Sequence, residues 1–186
     1  MKRFSVQDTP LQGLKLVQRQ RSADARGFLA RLFCAEEMAT LGWDGPIAQI
    51  NHTLTLQAGT VRGLHYQVPP HAEVKLVSCL RGEVWDVALD LRGGSPTFLC
   101  WHAQRLSADN LCALHIPVGF AHGFQALSAD AELLYLHSQP YQGDVEAGLH
   151  PQDPRLAIPW PLPVLALSAR DAGHPWLSAG FEGVRL

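Results

Sequence analysis

The chain has 186 residues, of which 47% are hydrophobic and 17% charged, and its formal net charge is −2. That length and composition support a sizeable core and exclude a disordered chain. With no basic run or patch, nothing invites nucleic acid or an anionic membrane, although local arginines can still hold a small anion. Met1–Ser5 leads into no apolar signal-peptide stretch, and no run approaches the roughly 18 apolar residues that span a bilayer. Cys34, Cys79, Cys100 and Cys112 form no C-x-x-C pair and no zinc spacing. They are expected to be reduced and packed as small hydrophobes, in a cytoplasmic protein.

Residues 1–32 read as extended and turn segments. Cys34 to Leu41 contains Ala-Glu-Glu-Met-Ala, stopped by Gly42, and predicts a short helix. From Ile47 the period becomes two, with Gln49, Asn51, Thr53 and Thr55 on one face and Ile50, His52, Leu54 and Leu56 on the other. Further strands are predicted at Lys75–Leu80, Glu83–Leu91, Thr97–Leu106, Leu111–Ile116 and Glu132–Ser138. Turn signals at Arg81-Gly82, Arg92–Pro96, Ser107–Asn110 and Pro117–Gly119 separate them. Many short strands without long helical patterns mean an all-β sandwich or barrel. After Tyr141 prolines accumulate, and Ser168-Ala169-Arg170-Asp171 has the form of a capping box opening a short helix. The last forty residues are therefore expected as loops and short helices over the β core, and residues 1–186 as a single domain.

The chemistry concentrates at Arg62-Gly63-Leu64-His65-Tyr66-Gln67, with Lys75 following. His65 is the best candidate for a base, because an imidazole accepts a proton near neutrality. It needs an orienting carboxylate, and the residues alone leave Asp86, Asp90, Asp109 and Asp171 open. Arg62 and Lys75 could hold an anion or polarise a carbonyl. Tyr135 shares a strand face with Leu133 and His137. His122, between Phe120 and Phe124, fits either a packed core or a site.

Taken together, these motifs resemble a known family. Arg62–Gln67 with Lys75-Leu76-Val77, Gly82-Glu83-Val84-x-Asp86-Val87, Ile116-Pro117-x-Gly119-Phe120-Ala121-His122-Gly123-Phe124 and Ala131-Glu132-x-x-Tyr135 are similar to the dTDP-4-dehydrorhamnose 3,5-epimerases. Asp153-Pro154 followed by Ile158-x-Trp160-Pro161, and Leu167-Ser168-x-x-Asp171, extend the likeness, which runs from about Asp24 to Asp171. The resemblance implies a cupin-type jelly roll (a double-stranded β-helix) with short peripheral helices, assembled as a homodimer. It implies proton abstraction at C3 and/or C5 of a nucleotide-linked 4-keto-6-deoxyhexose, followed by reprotonation through an enolate, with no metal and no organic cofactor. On that likeness His65 is the base and Asp171 its carboxylate. Tyr135 is the general acid on the opposite face, and Lys75 the cation beside the 4-keto oxygen. Arg62, His122, Gln49, Asn51, Tyr141 and Glu146 match nucleotide-sugar contacts. Arg26 matches a residue that reaches a diphosphate in the neighbouring subunit.

Three positions depart from the family pattern. Leu29 and Arg31 stand where an aromatic and a glutamate are usual near the nucleotide base, and Leu136 replaces a lysine. These departures predict an altered base preference and leave room for a mono-epimerase acting on a different nucleotide sugar. Two further readings compete. One is a metal-dependent cupin with His65, His71 and Glu73 as ligands, although His65-Tyr66-Gln67 lacks the second histidine of a His-x-His motif. The other is a non-catalytic sugar-nucleotide binder on the same fold.

Overall fold

The strands fall into two facing antiparallel sheets. The computed structural model of the protein describes residues 3–186. In chain order the strands are β1 (Phe4–Asp8), β2 (Lys15–Arg19), β3 (Arg21–Asp24), β4 (Gly27–Ala30), β5 (Gln49–Thr55), β6 (Val61–Gln67) and β7 (Lys75–Arg81). They continue with β8 (Glu83–Asp90), β9 (Trp101–Ser107), β10 (Cys112–Ile116), β11 (Phe120–Ala126), β12 (Ala131–His137) and β13 (Glu146–Gly148). Two short α-helices, α1 (Ala35–Ala39) and α2 (Ala169–Ala172), and a 3-10 turn at Gly143–Val145 complete the set among the described residues. One sheet runs β1-β2-β10-β7-β12-β5 and the other β13-β6-β11-β8-β9, with β3 and β4 as a separate hairpin. This is the jelly roll expected from the sequence.

Between the sheets lies a core that includes Leu14, Val77, Leu106, Leu114, Phe124 and Leu133. Each such side chain contributes about 1.5–3 kcal/mol relative to exposure. A second cluster covers the outer face of the five-stranded sheet, where Leu149, Leu156, Leu177 and Val184 from the C-terminal segment pack on Leu64, Tyr66 and Leu89. A third covers the other sheet, where Met38 of α1 and Trp43 pack on Val17, Leu76 and Leu136. The proline-rich tail thus seals one sheet, as expected of it, and α1 with Trp43 seals the other.

Three differences from the sequence reading stand out. Strands β6 and β11 were not predicted. All of β11 is buried, so neither of its faces shows polar alternation. In β6 the pairing with β11 shifts register between His122 and Phe124. Gly63 (φ +125°) sits at this shift, and a Cβ there would lie 2.5 Å from Gly123 Cα and 2.8 Å from the His122 carbonyl. The strand predicted from Thr97 begins only at Trp101, because Thr97 is drawn back to Asp90. The buried Asp90 carboxylate accepts from Thr97 Oγ1 and Ser95 Oγ at 2.7 Å and from Arg92 Nε at 2.9 Å. Burial alone would raise this carboxyl, but the arginine and hydroxyl donors outweigh it and bring it down to about 2. Finally, the cysteines are all free, but Cys100 is exposed and so is not the packed hydrophobe expected of it.

Candidate active site

A cavity of about 520 Å³ opens between the sheets, at the end not filled by the apolar core. Each sheet contributes one wall. On the six-stranded side, register sets the polar groups in rows. His137 pairs with Gln49 on β5 and with Lys75 on β7, while Tyr135 pairs with Asn51 and Val77. Side chains directly opposite one another in neighbouring strands share a face, so Gln49, His137 and Lys75 form one row and Asn51 and Tyr135 the next. The polar face of β5 therefore points into the cavity, and its apolar face, with Ile50 and Leu54, stays exposed.

The opposite wall is built on β6 and β11. His65 pairs with His122 and Arg62 with Phe124. Strict alternation would send Arg62 and His65, three residues apart, to opposite faces. The register shift at Gly63 turns both into the cavity.

His65 meets its carboxylate here. Its Nε2 donates to Asp171 Oδ1 at 2.7 Å, and Asp171 is buried. The Ser168 cap forms, but the reciprocal half of the capping box does not, because the Asp171 side chain turns to His65. The Asp171 backbone N–H donates to the Ser168 hydroxyl at 3.0 Å as the α2 cap, and this leaves the carboxylate free to face β6. Burial alone would raise the Asp171 carboxyl. The hydrogen bond and charge of His65, helped by Ser168 and the Gly63 N–H, hold it below the ordinary carboxylate range. Among the four carboxylates open at the sequence level, Asp86 instead accepts from His122 Nε2 at 2.8 Å, and Asp90 holds the loop after β8.

Tyr135 stands on the other wall, buried, with its ring 5.8 Å from that of His122 and stacked on His137. Burial, reinforced by the charge of Asp86, raises its hydroxyl pKa well above the ordinary tyrosine value, so it keeps its proton. Lys75 Nζ spans the two walls, donating to Glu73 Oε1 at 3.1 Å and to the His65 carbonyl at 3.4 Å. A run of hydrogen bonds leads to it from the cavity rim. Tyr141 N donates to Gln49 Oε1, Gln49 Nε2 to Asn51 Oδ1, Asn51 Nδ2 to His137 Nε2 and His137 Nδ1 to Glu73 Oε2. Burial alone would raise the Glu73 carboxyl; His137 and Lys75 keep it low. At the mouth, Arg62 donates to Thr55 Oγ1 at 3.1 Å, and Glu146 accepts from Tyr141 and Arg170.

His65, Tyr135, Asp171, Lys75, Arg62, His122, Gln49, Asn51, Tyr141 and Glu146 all line this one cavity. Arg26 does not. It lies exposed on the β3–β4 hairpin, paired with Asp24 at 2.6 Å. Leu29 is exposed on the same hairpin, Arg31 just beyond it pairs with Glu37, and Leu136 is buried on the outer side of its sheet. The ligand set of the metal-cupin reading does not converge, since Glu73 is taken by Lys75 and His137 and His71 stands outside the cavity. The sequence reading missed Thr53, Phe124, Ser168 and Arg170 as lining residues, and it missed Glu73 and His137 as the support of Lys75. For the last two a signal existed, because each lies two residues from a predicted site residue on the same extended face.

Comparison with known proteins agrees with this architecture. A relative from Sinorhizobium fredii named dTDP-4-dehydrorhamnose 3,5-epimerase is 40% identical over 165 residues, covering 88% of this chain and 85% of its own. A Streptomyces niveus relative named dTDP-4-dehydrorhamnose 3-epimerase is 39% identical, covering 87% of this chain and 78% of its own. The crystal structure of dTDP-4-dehydrorhamnose 3,5-epimerase from Bacillus anthracis, with TDP and PPi bound, superposes with a TM-score of 0.90 at 38% identity. That match covers 94% of this chain and 99% of the other. The family profile described as dTDP-4-dehydrorhamnose 3,5-epimerase matches residues 8–179, which takes in both walls of the cavity and the α2 segment that closes it. The chain belongs to the dTDP-4-dehydrorhamnose 3,5-epimerase family.

Proposed function

We propose that this chain epimerises C3 and C5 of a dTDP-linked 4-keto-6-deoxyhexose. The observation that carries this reading is the placement of a histidine–carboxylate pair and a protonated tyrosine on opposite walls of one cavity, with an ammonium group bridging them. Inversion of a carbon needs a base on one face and an acid on the other. The C4 ketone acidifies the protons at C3 and C5. His65 removes one of them, and Asp171 stabilises the imidazolium that forms. Negative charge then develops on O4, where the Lys75 ammonium, itself buried, offsets it. Tyr135, which holds its proton, delivers it from the other side. Arg62, His122, Gln49, Asn51, Tyr141 and Glu146 form the walls and rim that would hold the nucleotide sugar.

We further read residues 1–186 as one domain, working as a cytoplasmic homodimer in which Arg26 of the partner subunit completes the nucleotide site. Exposed Phe28 and Leu29 on the hairpin, Ile50 and Leu54 on β5 and Leu56 just after it give such a contact its apolar surface, and the four free thiols suit a reducing compartment. Light scattering showing a fully active monomer at micromolar concentration would refute the dimer. Because Leu29 and Arg31 share that region, titration of dTDP, UDP and CDP into wild type and an L29F/R31E variant measures their part in base preference.

The test of the activity is incubation with dTDP-4-keto-6-deoxyglucose in deuterated water. Deuterium at both C3 and C5 is the expected result. Deuterium at C3 alone would support the second reading, a mono-epimerase, which the similarity to a 3-epimerase favours. Tight binding with no exchange at either carbon would leave only a sugar-nucleotide binder.

A further inference from the structure

The reaction proposed above does not use His174, and nothing in the sequence pattern singled it out. Its imidazole is only 14% exposed, and its Nε2 is fully buried with no hydrogen-bond partner. The ring stands edge-on to His65, with centroids 5.4 Å apart. Its Nε2 lies 3.8 Å from Asp171 Oδ1, the same oxygen that accepts from His65 at 2.7 Å. Local packing fixes the ring there. Gly148 pairs with His65 in the β6–β13 ladder, and a Cβ on Gly148 would lie 2.4 Å from Nε2 and Cε1 of His174. The imidazole thus occupies the space left by a missing side chain, directly beside the proposed base. Burying a polar nitrogen without a partner costs roughly 1–3 kcal/mol, a cost that a ligand on Nε2 would offset.

We infer that His65, Asp171 and His174 form a zinc site, and that its occupation switches the enzyme off. The ligand atoms all lie within 4.8 Å of one another. Zinc bound by imidazole nitrogen and carboxylate oxygen at about 2.0–2.2 Å keeps tetrahedrally arranged ligand atoms about 3.4 Å apart. The separations of 2.7 and 3.8 Å to the shared carboxylate oxygen straddle that value. Two imidazoles and a carboxylate are a donor set suited to Zn²⁺ and poorly suited to Mg²⁺ or Ca²⁺. His65 and Asp171 also line the substrate cavity. This set differs from the His65, His71 and Glu73 grouping weighed from the sequence, which the fold disperses.

The consequence for catalysis follows from electron counting. A neutral imidazole has one in-plane lone pair. In the free enzyme that lone pair is on Nδ1, because Nε2 donates its proton to Asp171. For Nε2 to bind Zn²⁺, the single ring proton must move from Nε2 to Nδ1, so the nitrogen that would take the proton from carbon is already protonated. No lone pair remains to accept a proton from carbon, and Asp171, now bound to the metal, no longer stabilises an imidazolium. The inhibitory part of the inference rests on His65 being the base; the binding part does not.

The experiment uses the untagged full-length chain, titrated calorimetrically with ZnCl2, and with CoCl2 followed by its visible absorption. Wild type, H174A and H174Q are compared, and deuterium exchange of the nucleotide sugar is measured in parallel with and without zinc. The expected result is one zinc per chain, with affinity falling on the order of tenfold or more in both variants. Both variants should exchange deuterium at the wild-type rate without zinc and lose their sensitivity to it. Equal zinc affinity in all three proteins would overturn the site. Zinc binding that depends on His174 but leaves exchange unaffected would uphold the site and overturn His65 as the base. Loss of zinc-free exchange in both variants, with folding intact, would overturn the inference by making His174 part of the reaction itself.

Discussion

Replacing Asp171 by asparagine isolates the contribution of the carboxylate to His65. The change is nearly isosteric, and the α2 cap survives it, because Ser168 receives the backbone N–H of residue 171 and not the side chain. What is lost is a charge-assisted hydrogen bond of 2.7 Å to a buried carboxylate. Hydrogen bonds to charged groups contribute about 1.5–3 kcal/mol, which corresponds to about 10- to 150-fold in the proton-abstraction step. The asparagine amide can also turn its NH2 towards His65 Nε2 and hold the ring in the wrong tautomer, a loss that reaches about 10⁴-fold in catalytic triads. D171N should therefore lower kcat for deuterium exchange by between about 10² and 10⁴, with KM changed little and the thermal midpoint within a few degrees of wild type. An H65A/D171N double variant should be no slower than H65A alone, since the carboxylate acts only through the imidazole. Exchange by folded D171N within about threefold of wild type would refute the pairing as a functional one.

Other expectations follow from particular contacts. Gly63→Ala puts a Cβ into the backbone of Gly123 and His122 at a positive φ, so it should destabilise the fold by about 3 kcal/mol or more and disturb Arg62 and His65; urea unfolding measures this, and a midpoint equal to wild type would contradict it. His115 is buried with neither ring nitrogen partnered, and burial lowers it from its ordinary 6.5 to about 4. The unfolded chain therefore binds the extra proton first, and stability falls as pH drops from about 6.5 to 4, by about 3 kcal/mol between pH 7 and 4. His115→Leu should remove that slope, and an unchanged pH profile would contradict the assignment. Asp90, lowered to about 2, adds stability that is fully present above pH 4 and is lost as pH falls towards 2. D90N should forfeit about 2 kcal/mol at neutral pH and show a weaker acid dependence in the same assay.

How far the sequence carried can be judged from individual residues. Strands with one face on a cavity or on solvent announced themselves, as Gln49–Thr55 did by alternation. The wholly buried Phe120–Ala126 did not, because burial on both faces erases the pattern that period two relies on. The Arg62–Gln67 stretch was recognised for its chemistry before it could be recognised as a strand. Its register shift, which brings Arg62 and His65 to one face, depends on the close approach of Gly63 to Gly123 and is invisible to local periodicity. Choosing Asp171 over Asp86 needed either the family resemblance or the fold, since the partners are 106 residues apart. The support of Lys75 by Glu73 and His137 comes from cross-strand register, which one sequence does not reveal. Arg26 remains a residue whose expected role lies outside a single chain.

The central claim is that His65 removes the proton from one face and Tyr135 returns one to the other. Comparing inversion with deuterium exchange in Tyr135→Phe and His65→Ala tests this most directly. Tyr135→Phe keeps the ring packed against His122 and His137 and removes only the proton donor. The account predicts that Y135F still exchanges C–H for C–D through His65, from the same face and with retained configuration, whereas H65A loses exchange and inversion together. Inversion by Y135F at a rate near wild type, or exchange by H65A near wild type, would contradict it.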